Sequence, residues 1–144
     1  MPKKTKITIG ENDIKQKDVD MVNVLMRQLD PTIRVIDFKE IKSVMKTGIV
    51  ITLRNRGVII GMGMLVPIRK LAFFCANIED VVVEEKYRGR GLGKKITKIL
   101  LKKSKALGVK FVNLTSRPQR KIANHLYLSI GFKRRKTNVY ELKN

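Results

Sequence analysis

A mixed α/β domain with a central, mostly antiparallel sheet is the fold class this sequence predicts. Three observations predict it. Short β-branched runs alternate with stretches of helical apolar spacing. Glycines stand where the helical stretches stop. The resulting order, β-α-α-β-β-β-α-β-α-β-β, is that of one mixed domain rather than of separate helical and sheet units. A chain of 144 residues with 43% apolar content suits a single domain, 1–144, with one sizeable core.

Taken in order, Lys6 to Ile9 (KITI) alternates and is β-branched, as a short first strand does. Val22, Leu25, Met26 and Leu29 follow the i, i+3, i+4, i+7 spacing of an amphipathic helix, which Asp30-Pro31 ends. Asp37 with Glu40 three residues on is a capping-box pattern, and it opens a helix of about ten residues that Gly48 stops. IVITL and VIIGMGMLVPI read as two strands joined by a hairpin turn at Arg54-Asn55-Arg56-Gly57. LAFFCANIEDVVV is longer than a typical strand, so a bend or bulge is expected inside it. Leu92, Ile96, Ile99, Leu100 and Leu107 form the stripe of a helix that Gly108 ends, and KFVNLT reads as a short strand. Ile122, Leu126 and Ile130, with Ala123 and Tyr127 beside them, are expected on one face of a last helix closed by Gly131. FKRRKTNVYEL reads as two short strands around a turn.

Several classes are set aside. The best apolar run, Val58 to Ile68, is broken by Gly61, Gly63 and Pro67, and falls short of the roughly 18 residues a membrane span needs. The start, MPKKTKITIG, has basic residues with no apolar signal core behind them, so a cytoplasmic protein without a membrane partner is expected. Cys75 is the single cysteine, which excludes an internal disulfide or a cysteine metal cluster; no metal is expected.

The charge is uneven. There are 32 Lys+Arg against 12 Asp+Glu, and from Lys86 to Tyr140 there is no acidic residue among 17 basic ones. Either that half of the chain meets an anionic partner, or the charge keeps the protein soluble in a lysine-rich proteome.

The stretch VVVEEKYRGRGLGKKI, residues 81 to 96, joins a strand to a helix through a basic glycine turn. A helix N-terminus offers unpartnered N–H groups and the positive end of the macrodipole. Glycines let that backbone approach a phosphate, and arginine or lysine adds charge. Lys94 is followed by Lys95 rather than Ser or Thr, so this is not a Walker loop. Gly89, Gly91 and Gly93 do not have dinucleotide spacing, and no acid follows before Glu141. By itself the turn is either a phosphate cradle or a surface turn.

Arg88-x-x-Gly91-x-Gly93 after a valine strand, with LYLSIGF (Leu126 to Phe132) about 35 residues further on, resembles the GCN5-related N-acetyltransferase (GNAT) family. The resemblance spans essentially the whole chain. It implies a GNAT fold, whose mostly antiparallel sheet is splayed and flanked by helices, and transfer of an acetyl group from acetyl-coenzyme A to a primary amine. It also assigns residues. The backbone of Val81, Val82 and Val83 is expected to hold the pantetheine arm. The turn Arg88, Gly89, Arg90, Gly91, Leu92, Gly93 and Lys94 is expected to hold the pyrophosphate. A backbone N–H near Val81 is expected to polarise the thioester carbonyl.

The reaction moves two protons, one off the ammonium and one onto the leaving thiolate. Tyr127 matches the family's usual general acid; a core tyrosine is the alternative. Glu79 is the candidate base, on the expectation that it shares a strand face with Val81 and Val83; a carboxylate paired with an arginine is the alternative. Asp80 would face the other way in a regular strand, and a bulge would overturn that. His125, the one histidine, reads as a surface residue. Where relatives carry Asn this chain has Arg120, so Asn124, a backbone group or Arg120 itself is left to meet the coenzyme.

The acceptor is not fixed by the sequence. IEDVVV with YRGRGLG is similar to glucosamine-phosphate acetyltransferases, whereas NLTSRPQRKIANHLY is not. Arg117 and Arg120 would suit an acceptor bearing carboxylate or phosphate, or are solvated surface charges. Small-molecule and peptide amines both remain open. A nucleic-acid or ribosome-associated protein on the same scaffold, or an acetyltransferase of a protein bound there, is the competing reading. The basic stretch favours it, and only 8 Phe+Tyr with no Trp speak against base stacking.

Overall fold

The computed structural model of the protein describes residues 5–144; the charged start of the chain, Met1 to Lys4, lies outside them. Strands β1 (Ile7–Glu11), β2 (Ile49–Asn55), β3 (Val58–Arg69), β4 (Phe74–Val83) and β5 (Val112–Asn113) form one sheet in chain order. All neighbours are antiparallel except β4 and β5, which run parallel. Helices α1 (Val19–Leu29) and α2 (Phe38–Thr47) lie between β1 and β2. Helix α3 (Leu92–Leu107) joins β4 to β5, and α4 (Lys121–Ile130) follows β5.

Local chemistry sets these boundaries. Asp37 caps α2 by accepting from the Glu40 N–H at 2.8 Å, and the Glu40 carboxylate accepts in turn from the Asp37 N–H at 2.9 Å. The β2–β3 turn has Arg56 and Gly57 at φ 50° and 81°, the paired positive values that match strand twist in a two-residue hairpin. Arg54, at the end of β2, holds the segment before α1 onto the sheet. Its guanidinium donates to Asp18 at 2.9 and 3.0 Å and to Asp13 at 3.2 Å. The Arg54 hydrogen bonds hold the Asp18 carboxyl below its ordinary pKa, so this clip is intact above the usual carboxylate range and weakens as acid protonates Asp18.

Two core clusters lie on the two sheet faces. Val22, Leu25, Met26 and Ile41 from α1 and α2 pack with Ile59, Met62 and Val82 on one face. Ile96 and Leu100 from α3 pack with Ile51, Ile60, Leu65 and Ile78 on the other. Burial on both faces explains why β2 and β3 read as near-continuous apolar runs. A Cβ at Gly63 would meet Ile96 at 2.7 Å, so its absence lets α3 lie directly on β3.

The terminal hairpin expected from FKRRKTNVYEL is not formed: no strand follows α4 among the described residues. Strand propensity needs a partner, and here Val139, Tyr140 and Leu142 stand 77%, 88% and 89% exposed beyond β5, which ends the sheet. KFVNLT contributes only the two-residue β5. Ile122 is a second correction. It is 89% exposed, and the sheltered residues of α4 are Ala123, Leu126, Tyr127 and Ile130.

Candidate active site

β4 and β5 differ in length, which opens one edge of the sheet. β4 pairs with β3 from end to end, but with β5 only at Ala76–Val112 and Asn77–Asn113. From Ile78 to Val83 the far edge of β4 therefore has no strand beside it. Its backbone groups form an open ladder six residues long, leading to the glycine turn.

The bulge expected in this strand lies within that ladder. Met62 faces Val82 and Met64 faces Glu79, which leaves Gly63 opposite both Asp80 and Val81. Asp80 takes φ 55°, a left-handed conformation that Asp tolerates better than most residues. The extra residue changes the alternation. Ile78, Val81 and Val83 face the α3 cluster, while Val82 faces the α1 cluster. Glu79 pairs with Met64, which packs on the α1 side, so Glu79 does not share a face with Val81 and Val83 as period-2 counting predicts. Burial raises the Glu79 pKa, and the neighbouring Asp80 charge raises it further. Asp80 reaches solvent, yet the protein around it desolvates its carboxyl enough to raise that pKa too.

At the end of the ladder the Glu84 side chain accepts from the Lys86 N–H at 2.9 Å and starts a single helical turn, Glu85–Tyr87. Tyr87 is fixed by Asn55, whose Nδ2 donates to its hydroxyl at 2.8 Å, and Arg90 stacks over its ring at 5.2 Å. Gly89 and Gly91 have φ 77° and 73°, and Gly91 is the N-cap of α3. No side chain caps that helix and its first turn has no acid, so its leading N–H groups have no side-chain partner. Nothing lies within 4 Å of where a side chain would begin at either glycine. Leu92 packs on the core below, and a Cβ at Gly93 would sit 3.7 Å from Leu126, so α4 passes beside the start of α3. Lys94 and Lys95 are exposed above the turn. Arg88 is exposed as well, and its Nε donates to the Val83 carbonyl at 3.0 Å. That contact occupies the last rung of the ladder, and no motif announces it.

Tyr127 is 8% exposed, and its ring meets Phe132 edge-on at 5.9 Å. Burial raises its pKa, partly offset by the Arg120 cation, so the hydroxyl keeps its proton at neutral pH. The Asn124 Nδ2 is engaged within the loop, donating to the carbonyls of Arg117 and Pro118 at 3.0 and 3.4 Å. Arg117 reaches Asp30 at 3.6 Å, tying the loop before α4 to the end of α1. Arg120 is exposed at the N-cap of α4, and His125 is exposed on that helix. Cys75 is buried and distant in function from these groups. A cleft of about 560 Å³ lies on the α1 side of the turn, lined by Met21, Val24, Ile60, Glu84 and Tyr87 among others. Neither Glu79 nor Tyr127 lines it.

Comparison with known proteins bears on the fold and the family. No curated protein sequence matches the chain. Among solved structures, an acetyltransferase from Trypanosoma brucei superposes with a TM-score of 0.80 at 21% identity, covering 96% of this chain and 100% of that one. Glucosamine-6-phosphate N-acetyltransferase from Arabidopsis thaliana gives 0.78 at 22% identity, covering 96% and 99%. The aminoglycoside N-acetyltransferase AAC(6')-Iy in complex with CoA gives 0.76 at 14% identity, covering 99% and 98%. These likenesses establish the fold. The acetyltransferase (GNAT) family itself matches residues 20–132. That match covers most of the sequence, and the chain belongs to the GNAT family as an acetyl-coenzyme A-dependent N-acetyltransferase.

Proposed function

We propose that acetyl-coenzyme A lies along the open edge of β4 and that Tyr127 and Glu79 move the two protons of the transfer to a primary amine. The edge of β4 from Ile78 to Val83, with no strand beside it and only Arg88 on the Val83 carbonyl, ends at an uncapped helix N-terminus and is the observation that carries this reading. The backbone groups of Val81, Val82 and Val83 hold the pantetheine amides as a neighbouring strand would. The leading N–H groups of α3, with Arg88, Gly89, Arg90, Gly91, Leu92, Gly93 and Lys94, hold the pyrophosphate. Backbone at the Asp80–Val81 bulge is aimed off the regular ladder, which suits it to donate to the carbonyl oxygen that gains charge during attack.

Tyr127, protonated and beside the start of α3, donates to the departing sulfur. Glu79 takes the proton from the ammonium on the opposite, α1 side of the strand, where an acceptor can approach without crossing the coenzyme. Its raised pKa brings it nearer the amine's working range. Asp80, desolvated and adjacent, serves the same approach as a second carboxylate.

The sign of the pH dependence follows. Near pH 7 an alkyl amine is mostly protonated and needs a base, whereas near its own pKa of about 10 it does not. Glu79→Gln is therefore expected to lower kcat/KM strongly near neutrality, with the deficit shrinking as pH rises. An equal deficit across that range, read from a pH–rate profile, would assign Glu79 a positioning role instead.

The acceptor is an amine of a small molecule or a peptide. Thiol release from acetyl-coenzyme A, measured with polyamine, amino-sugar, amino-acid, aminoglycoside and peptide amines, tests the function directly. Turnover above buffer hydrolysis with at least one class is expected, and none with any class defeats the reading of the site. A cytoplasmic location belongs to the same reading, and a buried, unpaired Cys75 fits a reducing compartment. Nucleic-acid association is a second reading, favoured by the lysine face of α3.

A further inference from the structure

The sheet divides the charge of this protein. Asp18, Asp20, Asp30, Asp37 and Glu40 lie in or beside α1 and α2, on one face, while α3 on the other face has no acid at all. Ile96 and Leu100 fasten α3 to the sheet and are fully buried. The outward side of the helix carries Lys94, Lys95, Lys98, Lys102 and Lys105, all exposed. At 3.6 residues per turn these five fall within an arc of about 100°, and every residue in that arc is lysine. At 1.5 Å per residue the row runs about 16 Å along the helix.

None of the five reaches a carboxylate among the described residues. The one ion pair of α3, Lys103 with Glu11 at 3.2 Å, lies off the row. Like charges at i,i+3 and i,i+4 spacing are destabilising in a helix, so the row repels itself until an anion covers it. The tail adds further cations on the same side of the sheet. Phe132 packs against the cluster that holds Ile96 and Leu100, so Lys133 to Lys136 leave the fold on the α3 side. These four cations are exposed, and Arg134, Arg135 and Lys136 line a cleft of about 480 Å³. Tyr140 stands 88% exposed a few residues on.

We propose that this side of the protein, the lysine row with the basic tail, docks single-stranded RNA. A linear row fits a linear chain of phosphates, the tail adds charge at its end, and the bare Tyr140 ring offers a face to an unstacked base. A bilayer surface is the poorer match, because a membrane-surface helix inserts the face opposite its lysines, and on α3 that face is buried in the core. Lys94 is shared with the proposed pyrophosphate site and Lys95 borders it, whereas Lys98, Lys102 and Lys105 lie further along the helix.

Binding of a short labelled RNA to the whole protein, followed by anisotropy across salt concentrations, tests this. Binding is expected at about 50 mM salt, with a log–log slope near 3.5 if the row neutralises five phosphates at roughly 0.7 each. The variant Lys98→Glu/Lys102→Glu/Lys105→Glu should lose at least tenfold in affinity and about two units of slope. The control Lys39→Glu/Lys42→Glu/Lys46→Glu, on α2, has the same net charge and should bind as the parent does. Equal losses in both would reduce the effect to net charge and overturn the proposal. So would absence of binding by the parent, or tighter binding to duplex DNA or to phosphatidylserine vesicles at equal salt. Should the glutamate variant fail to fold, the three glutamine replacements make the same comparison. The melting shift with acetyl-coenzyme A, which these variants are expected to keep, certifies the fold independently of RNA.

Discussion

Tyr127→Phe is expected to lower kcat by the 10²- to 10⁴-fold typical of a lost general acid, with coenzyme affinity nearly unchanged. The substitution removes one oxygen and keeps the ring that meets Phe132 edge-on at 5.9 Å, so packing survives and the effect is chemical. The coenzyme thiolate would then depart without a proton donor, held only by the charge of neighbouring groups. Single-turnover measurements with an identified acceptor separate chemistry from product release. Wild-type rates in that regime would make Tyr127 a core residue, as its 8% exposure alone would suggest.

Gly91→Glu is expected to abolish coenzyme binding. With Gly91 at φ 73°, any side chain is strained there, but strain accounts for only about 1–2 kcal/mol. The carboxylate is the larger effect, because it would stand at the uncapped start of α3 and compete for the N–H groups meant for phosphate. Coenzyme at a hundred times its Kd should stabilise the parent by about 2.7 kcal/mol, roughly 8 °C in Tm for a chain of this size. That shift should vanish in Gly91→Glu and persist in Gly91→Ala, which carries the strain without the charge. Equal loss in both variants would mean that backbone geometry, not charge, decides binding at this turn.

Much of this was legible in the residues because the signals were local. The Asp37–Glu40 cap, the glycine stops at 48, 108 and 131, and the turn at Arg56-Gly57 each act within one turn of chain. The bulge was legible as excess length but not in its position, and the face of Glu79 turned on that position. Asp80 was the available sign, since Asp is among the few residues that accept a positive φ. Two readings failed for want of long-range information. The NVYEL segment has the composition of a strand, but pairing depends on an edge that no local pattern specifies. Ile122 fits an i, i+4, i+8 stripe, yet the neighbouring stripe through Ala123, Leu126, Tyr127 and Ile130 is the one turned inward. The Asn55–Tyr87 and Arg88–Val83 contacts join residues distant in sequence or link side chain to backbone, and neither leaves a motif.

The six-residue ladder on β4 also bears on how the enzyme survives between turnovers. An unpaired strand edge is a template for another chain, and proteins that keep one guard it against aggregation. With the coenzyme seated there as proposed, the cosubstrate would itself be the guard, and each product release would remove it. In that interval the groove is protected by charge: Arg88 lies on the last carbonyl, and lysines crowd the turn beyond it. If the coenzyme sits there as proposed, solubility of the apoprotein is expected to follow coenzyme supply, with the cationic turn keeping two empty molecules from joining edge to edge.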